Sequence, residues 1–351
     1  MKKLICVLMV LVAIFALAAC GNEPYRATIK VYNAADYLDD DLRKEFEKEY
    51  NIKVIYDTFD SNENMYSKVT GTADSYDIII PSDYMVSRMI QEDLLLPLDF
   101  SKIPNAADIE SQYKGMSYDP EDKYSVPYMT GTLGILYNTR LVNEPVESWD
   151  ILWDSKYANQ ILMLDSERDA LAVGLASLGF SINTSDPVEL EMAVNKLIEQ
   201  KERKLLNAYL TDEIKDNMVG GNAALAVTYS GEAFYAASED PKGELDYAVP
   251  NEGSCKFVDA MVILKSSQNA EAAMEFINFL TSKEISARNS EYLGYTSPVN
   301  GARALMSEEV ANSHILYPEQ SIIENCDFFE YNPATKAMYS DAWLKVKMKM
   351  N

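Results

Sequence analysis

Asp259 interrupts an otherwise apolar run in "KFVDAMVIL", where Phe257, Val258, Met261, Val262, Ile263 and Leu264 read as a buried strand. A carboxylate taken out of water costs several kcal/mol unless a partner meets it. A charge in that place therefore points to a pairing role. Ser82, Asp83, Tyr229 and Ser230 end two further apolar runs, "YDIIIPSDY" and "AALAVTYSG". In open α/β sheets ligands sit beyond the carboxyl ends of strands, so these four are candidates for the same site. Ser166 and Asp169 stand three apart in "LDSERDA", the spacing of a capping box at a helix start.

Signatures of bond-making chemistry are missing. The chain has no G-x-S-x-G, no G-x-x-x-x-G-K-[ST] and no G-x-G-x-x-G, and its single histidine, His314, rules out H-E-x-x-H. With no Cys-x-x-Cys either, the usual zinc constellations are excluded and no metal or cofactor is expected. Paired carboxylates of the glycosidase kind stay open in a chain of 55 acids, although no spacing singles them out. The formal charge of −24 argues against a nucleic-acid partner, which needs a basic surface, and favours cationic ligands.

The elements that must position these residues alternate between strand and helix. "TIKVYN" is a strand. Leu38, Leu42, Phe46 and Tyr50 then recur every four residues on a helix that Asp39 or Asp40 caps. "NIKVIYDTF" is a second strand, and a β-α-β start of this kind predicts a parallel sheet covered by helices. Ser82 is placed to cap a helix carrying Met85, Met89 and Ile90. Asp186-Pro187 starts a helix with Leu190, Ala193 and Leu197 inward, and Asn269 starts another with Ala273, Phe276, Ile277 and Leu280 inward. "AALAVTYSGEAF" reads as a buried strand running into a Ser-Gly turn.

The N-terminus carries Lys2 and Lys3, an apolar run from Leu4 to Ala19, and Leu17-Ala18-Ala19-Cys20. That order is a secretory signal at 1–19 ending in a small-residue cleavage site. The tetrad resembles the lipobox of bacterial lipoproteins, which implies acylation of Cys20, a linker over 20–27 and an extracytoplasmic, membrane-tethered protein. Cys255 and Cys326 then remain. Two buried free thiols are expected, with a single bridge as the alternative.

The stretches "YNAADYLDDDLRKEFEKEYNIKVIYDTFDSNENMYSKV", "YDIIIPSDYMVSRM", "YSVPYMTGTLGILYNT", "SWDILW", "LGYTSP" and "LYPEQ" occur in that order. Together they resemble the spermidine/putrescine-binding proteins of bacterial ABC importers, from Thr28 to the C-terminus. The resemblance implies a two-lobed type II periplasmic-binding fold, with two mixed sheets flanked by helices and a polyamine held in the cleft. It implies crossovers at "GTLGILY" and "VPNEGSCKFVDA". One lobe would span 28–132, completed by 259–302, and the other 133–258, completed by 303–351. It also implies a monomeric receptor that an importer's permease recognises when closed, and not an enzyme.

Carried across position by position, the resemblance makes Asp259 the central carboxylate for a ligand ammonium. Tyr37 and Tyr295 match tyrosines at the cleft mouth and wall, and Ser82 and Tyr84 match the Pro-Ser-x-Tyr turn. Asp169 stands where the family has a glutamate, and Tyr229 where it has a large aromatic. Departures accompany the matches. Phe257 replaces a tryptophan, Ser166 replaces an acid, Phe329 falls where a glutamine grips a terminal amine, and Ala34 and Thr130 replace tryptophans. Asp83 is the candidate for a replacement charge, and Asp36 is an acid beside Tyr37. Two alternatives accompany this reading: the same receptor retuned to another amine or a non-polyamine solute, and a secreted hydrolase working through cleft carboxylates.

Overall fold

The computed structural model describes residues 25–71 and 76–349. The signal at 1–19, Cys20 and the start of the 20–27 linker lie outside the described residues. No described helix is long and apolar enough to cross a membrane. Nine strands run β1 Ala27–Ala34, β2 Ile52–Phe59, β3 Ile78–Ile79, β4 Ser125–Asn138, β5 Ile161–Leu164, β6 Leu206–Leu210, β7 Leu225–Tyr229, β8 Leu245–Ala248 and β9 Lys256–Ile263. Their hydrogen-bonded order is β2-β1-β3-β9-β4-β7-β5-β6, with β8 on β4.

The expected β-α-β start is present. β1 pairs in parallel with both β2 and β3. Between β1 and β2 lies α1, Asp40–Tyr50, capped by Asp39, whose carboxylate accepts the Asp41 N–H at 2.9 Å. α2, Asn62–Gly71, follows β2, and α3, Asp83–Gln91, follows β3. Their inward residues Leu42, Phe46, Met65, Met85 and Met89 are buried against the sheet. Burying such side chains contributes about 1.5–3 kcal/mol each.

β4 is the frame of the molecule. Its first part, Ser125 to Thr132, pairs antiparallel with β9, and its second, from Leu133 onward, with β7 and β8. One mixed sheet thus contains β2, β1, β3 and β9, and another contains β7, β5, β6 and β8. The 14-residue strand β4 belongs to both. This is the two-lobed architecture expected from the sequence.

α4, Glu167–Ala176, and α5, Pro187–Glu202, cover the second sheet, with α6, Glu213–Val219, and α7, Ser230–Glu239. At α5 the Asp186 carboxylate accepts the Val188 N–H at 2.8 Å, the cap expected before Pro187. The "Ser-Gly turn" after β7 is instead the first turn of α7, since Tyr229 stands at its N-cap. α8, Ala270–Leu280, and α9, Lys283–Leu293, return to the first sheet, and α10, Lys336–Met348, packs on α4 and α5.

Leu133 to Tyr247, with Cys255, Cys326, Phe329 and Tyr339, form the core of the second half. Ile29, Val31, Phe46, Met261 and Phe276 anchor the first. Met306, Val310 and Leu316 pack with that first core. The chain from 303 to 316 therefore does not join the second lobe at 303, and Ile315 is its earliest residue there. Cys255 and Cys326 are free and buried, the first of the two outcomes expected.

Candidate functional site

Asp259 lies on β9 opposite Met129, at 9% exposure. The pairings Pro127↔Ala260 and Met129↔Asp259 leave Tyr128 as an extra residue in β4. Such a bulge tolerates proline and re-aims neighbouring side chains. Here it sends the Tyr128 hydroxyl to the Tyr37 carbonyl at 2.6 Å, which Asn33 also donates to at 3.0 Å. Tyr37, so held, donates its own hydroxyl to Asp259 Oδ2 at 2.7 Å.

Ser82 supplies the second donor, to Asp259 Oδ1 at 2.6 Å. It stands at the α3 N-cap as expected but makes no side-chain cap, because its hydroxyl goes to Asp259 instead. Asn62 fixes it from α2, accepting the Ser82 N–H and donating to Ser82 Oγ, both at 3.1 Å. Burial pushes the Asp259 carboxyl up to about 6, while the Ser82 and Tyr37 hydroxyls pull it back.

Asp169 is the second buried acid, in the first turn of α4. The Tyr229 hydroxyl donates to its Oδ2 at 2.8 Å, and the Ser166 hydroxyl donates to the same oxygen. Ser166 makes no cap bond, so the capping box read from the spacing is not formed. Burial raises the Asp169 carboxyl, against the pull of the two hydroxyls and of Arg168.

Aromatic rings connect the two acids. Tyr229 meets Phe257 edge-on at 5.4 Å, Phe257 meets Tyr295 at 6.2 Å, and Tyr295 meets Tyr37 at 5.2 Å. Two glycines let the rings in. A Cβ on Gly231 would lie 2.2 Å from the Tyr295 ring, and one on Gly131 would lie 2.7 Å from Phe257. Burial holds the Tyr37, Tyr229 and Tyr295 hydroxyls well above their ordinary value, so they stay protonated donors.

Three expected residues sit differently. Asp83 is buried, but its carboxylate accepts the backbone N–H of Val258 at 3.1 Å and of Tyr84 at 2.6 Å. Both oxygens brace the chain, and burial pushes this acid up to about 8, which corrects its reading as a replacement ligand charge. Asp36 is exposed, in a turn at φ 49°, apart from the buried cluster. Tyr84 donates to Glu63 at 3.0 Å, and its ring meets Phe329 at 6.2 Å.

Thr130, read as a departure from the family's tryptophan, is buried and its hydroxyl is hydrogen-bonded to that of Thr296 at 3.0 Å. Asn62, Tyr128, Glu63 and Arg168 were missed. The run "DSNENMY" meets the Ser82 turn only in three dimensions, Asn62 being 20 residues from it in sequence, and nothing local marks Tyr128 as a bulge.

Among the described residues neither Asp259 nor Asp169 has an ion pair with a basic side chain; hydroxyls meet both. The arrangement can therefore receive cationic groups at two points along an aromatic wall, since a carboxylate and ring faces attract the same charge. No described group of three or more His, Cys, Asp or Glu could hold a metal ion.

Two sheets on a shared strand, with one buried acid on β9 of the first and another on the helix α4 that covers the second, joined by one run of rings, define a two-lobed solute-binding protein. The chain belongs to the bacterial extracellular solute-binding proteins, whose family model matches residues 41–317. It is 34% identical over 322 residues to the spermidine/putrescine-binding periplasmic protein of Escherichia coli K12, covering 91% of each chain. The structure of the spermidine/putrescine ABC transporter substrate-binding protein PotD from Streptococcus pneumoniae is 40% identical, with a TM-score of 0.81. That comparison covers 93% of this chain and 100% of the other. The TpPotD lipoprotein of Treponema pallidum is 29% identical, with a TM-score of 0.83, covering 91% and 99%. These relatives are binding proteins of transporters and not enzymes, and the chain is read in the same class.

Proposed function

We propose that the protein is the extracytoplasmic receptor of an ABC importer and binds a polyamine of the spermidine/putrescine class between its lobes. The observation that carries this is the pair of buried carboxylates, each met by hydroxyls and, among the described residues, by no ion pair with a basic side chain, at the two ends of one run of rings. The names of the relatives support the same ligand class. Ammonium groups complete Asp259 and Asp169, while Tyr229, Phe257 and Tyr295 cover the methylenes between them.

The lobes close over the ligand on the crossovers at 131–137 and 249–260, and a permease reads the closed form. Cys20 carries lipid on this proposal, supported by the Leu-Ala-Ala-Cys tetrad and by a lipoprotein among the relatives.

A thermal-shift panel of putrescine, cadaverine, spermidine, spermine and agmatine tests the ligand class. At a hundredfold excess over the dissociation constant, a bound amine stabilises by about 2.7 kcal/mol. Asp259→Ala abolishes the shift and leaves a folded protein. An unmoved melting temperature with every amine overturns the polyamine reading, and an unchanged shift in the alanine variant overturns the role of Asp259.

A further inference from the structure

The two lobes also meet along a seam, with α2 and α3 on one side and residues 328–336 on the other. Each side is fixed to its own lobe. Arg88 is buried on α3, stacked on the Tyr66 ring at 3.4 Å and ion-paired with Glu92 at 3.0 Å, while the Tyr66 hydroxyl donates to Glu92 at 2.5 Å. Opposite, Asn183 pins the 328–330 backbone, donating to the Phe328 carbonyl at 2.8 Å and accepting the Glu330 N–H at 2.9 Å.

The contacts that cross the seam are reciprocal. Arg88 of the first lobe lies 5.7 Å from the ring centre of Tyr331, and Lys336 of the second lies 6.0 Å from that of Tyr66. Phe329 meets Tyr84 edge-on beside them at 6.2 Å, and a cavity of about 60 Å³ is lined from both lobes. Among the described residues no hydrogen bond or ion pair joins Tyr66, Arg88 or Glu92 to Tyr331 or Lys336. Separation therefore strands no polar group: Arg88 keeps Glu92 and Tyr66, and the exposed Lys336 turns to water. Cation–ring contacts of this kind hold two surfaces together and release them without the penalty of an orphaned buried donor or charge.

We propose that this seam is a releasable latch of the closed form, in which Arg88 on Tyr331 and Lys336 on Tyr66 determine how long a solute is held without touching it. This rests on the receptor reading above, in which the lobes close over a ligand. Closure brings the same rings and cations together whatever the solute is. The latch therefore acts on the dissociation rate of every ligand alike, by favouring the closed state.

Stopped-flow binding of putrescine and spermidine to the whole protein tests this in the double variant Tyr331→Leu with Lys336→Met, which removes one partner of each contact and keeps apolar bulk. Two cation–ring contacts at exposed positions correspond to dissociation about 5–30-fold faster for both amines, with association within about twofold. Tyr331→Phe with Lys336→Arg keeps a ring and a cation and restores the slow rate. A folded Leu/Met variant that releases both amines at the unaltered rate overturns the latch. Fast release from the Phe/Arg variant as well shows that shape and not the cation–ring contact was lost, and overturns it too. If neither amine binds the unaltered protein, the polyamine reading fails and small-angle X-ray scattering of the ligand-free protein judges the latch: a larger radius of gyration in the Leu/Met variant supports it, and an equal one overturns it.

Discussion

Asp259 and Asp83 are buried acids on either side of the same strand contact, yet they answer to different partners. Asp259 is met by two hydroxyls, which are free to rotate, whereas Asp83 is met by two backbone N–H groups, which are not. Asp83→Ala leaves both N–H groups unsatisfied, at about 1–3 kcal/mol each, so denaturant unfolding shows a loss of about 2–6 kcal/mol. Ligand affinity of the folded fraction stays the same; a large loss of affinity without loss of stability would restore Asp83 as a ligand charge.

The buried acids give stability and amine affinity opposite dependences on pH. Both folded-state pKa values lie above the unfolded value, at about 6 and about 8. The folded chain then holds protons that the unfolded chain releases, so this contribution is complete below about pH 4 and is lost as pH rises through 6 and then 8. The ligand-free melting temperature accordingly falls between pH 5 and pH 8. Amine affinity moves the other way, rising roughly tenfold from pH 5 to pH 7 as Asp259 ionises. A pH-independent affinity would show that Asp259 pairs with no cation. Asp259 was legible because a charge stood in an apolar run. The role of Asp83 was not, because one of its two partners, Val258, comes from β9, 175 residues away.

At the scale of elements, helix starts do the positioning. α3, α4 and α7 begin at Ser82, Ser166 and Tyr229, and each of these side chains turns from its helix toward a carboxylate. Sequence reading located the first two starts, since Ser before an apolar period is a cap signal, but read them as caps, and it read the third as a turn. The diversion of the hydroxyls depends on strands that arrive from elsewhere in the chain. The Tyr128 bulge was illegible for the same reason, because register is a property of two strands and not of one.

Gly231 tests the precision of this arrangement. Its substitution by alanine adds helix propensity worth about 0.8–1 kcal/mol, but the new methyl meets the Tyr295 ring. Overpacking of about 1–3 kcal/mol outweighs the gain. Gly231→Ala is therefore less stable, and it binds amines more weakly because Tyr295 leaves its contact with Tyr37. Calorimetry showing tighter binding would mean that Tyr295 is not part of the wall.

The whole molecule was legible in outline from its alternating strands and helices, its N-terminal β-α-β unit and the order of its motifs. Its closure was less so: the return of Met306, Val310 and Leu316 to the first core is carried by scattered apolar residues in irregular chain, without a period to read. β4 has a further consequence, which concerns time. The second sheet takes its strands from a continuous stretch, β4 to β8, but the first lacks β9, which sits between β3 and β4. Until residue 263 has been synthesised and delivered, the oldest part of the chain keeps two unpaired sheet edges while the younger part already has all its strands. Loop closure over such a separation is slow. Pulse-labelled hydrogen exchange during refolding therefore finds the amides of β5 and β7 protected before those of β1 and β3, and simultaneous protection would show the two halves to be born together.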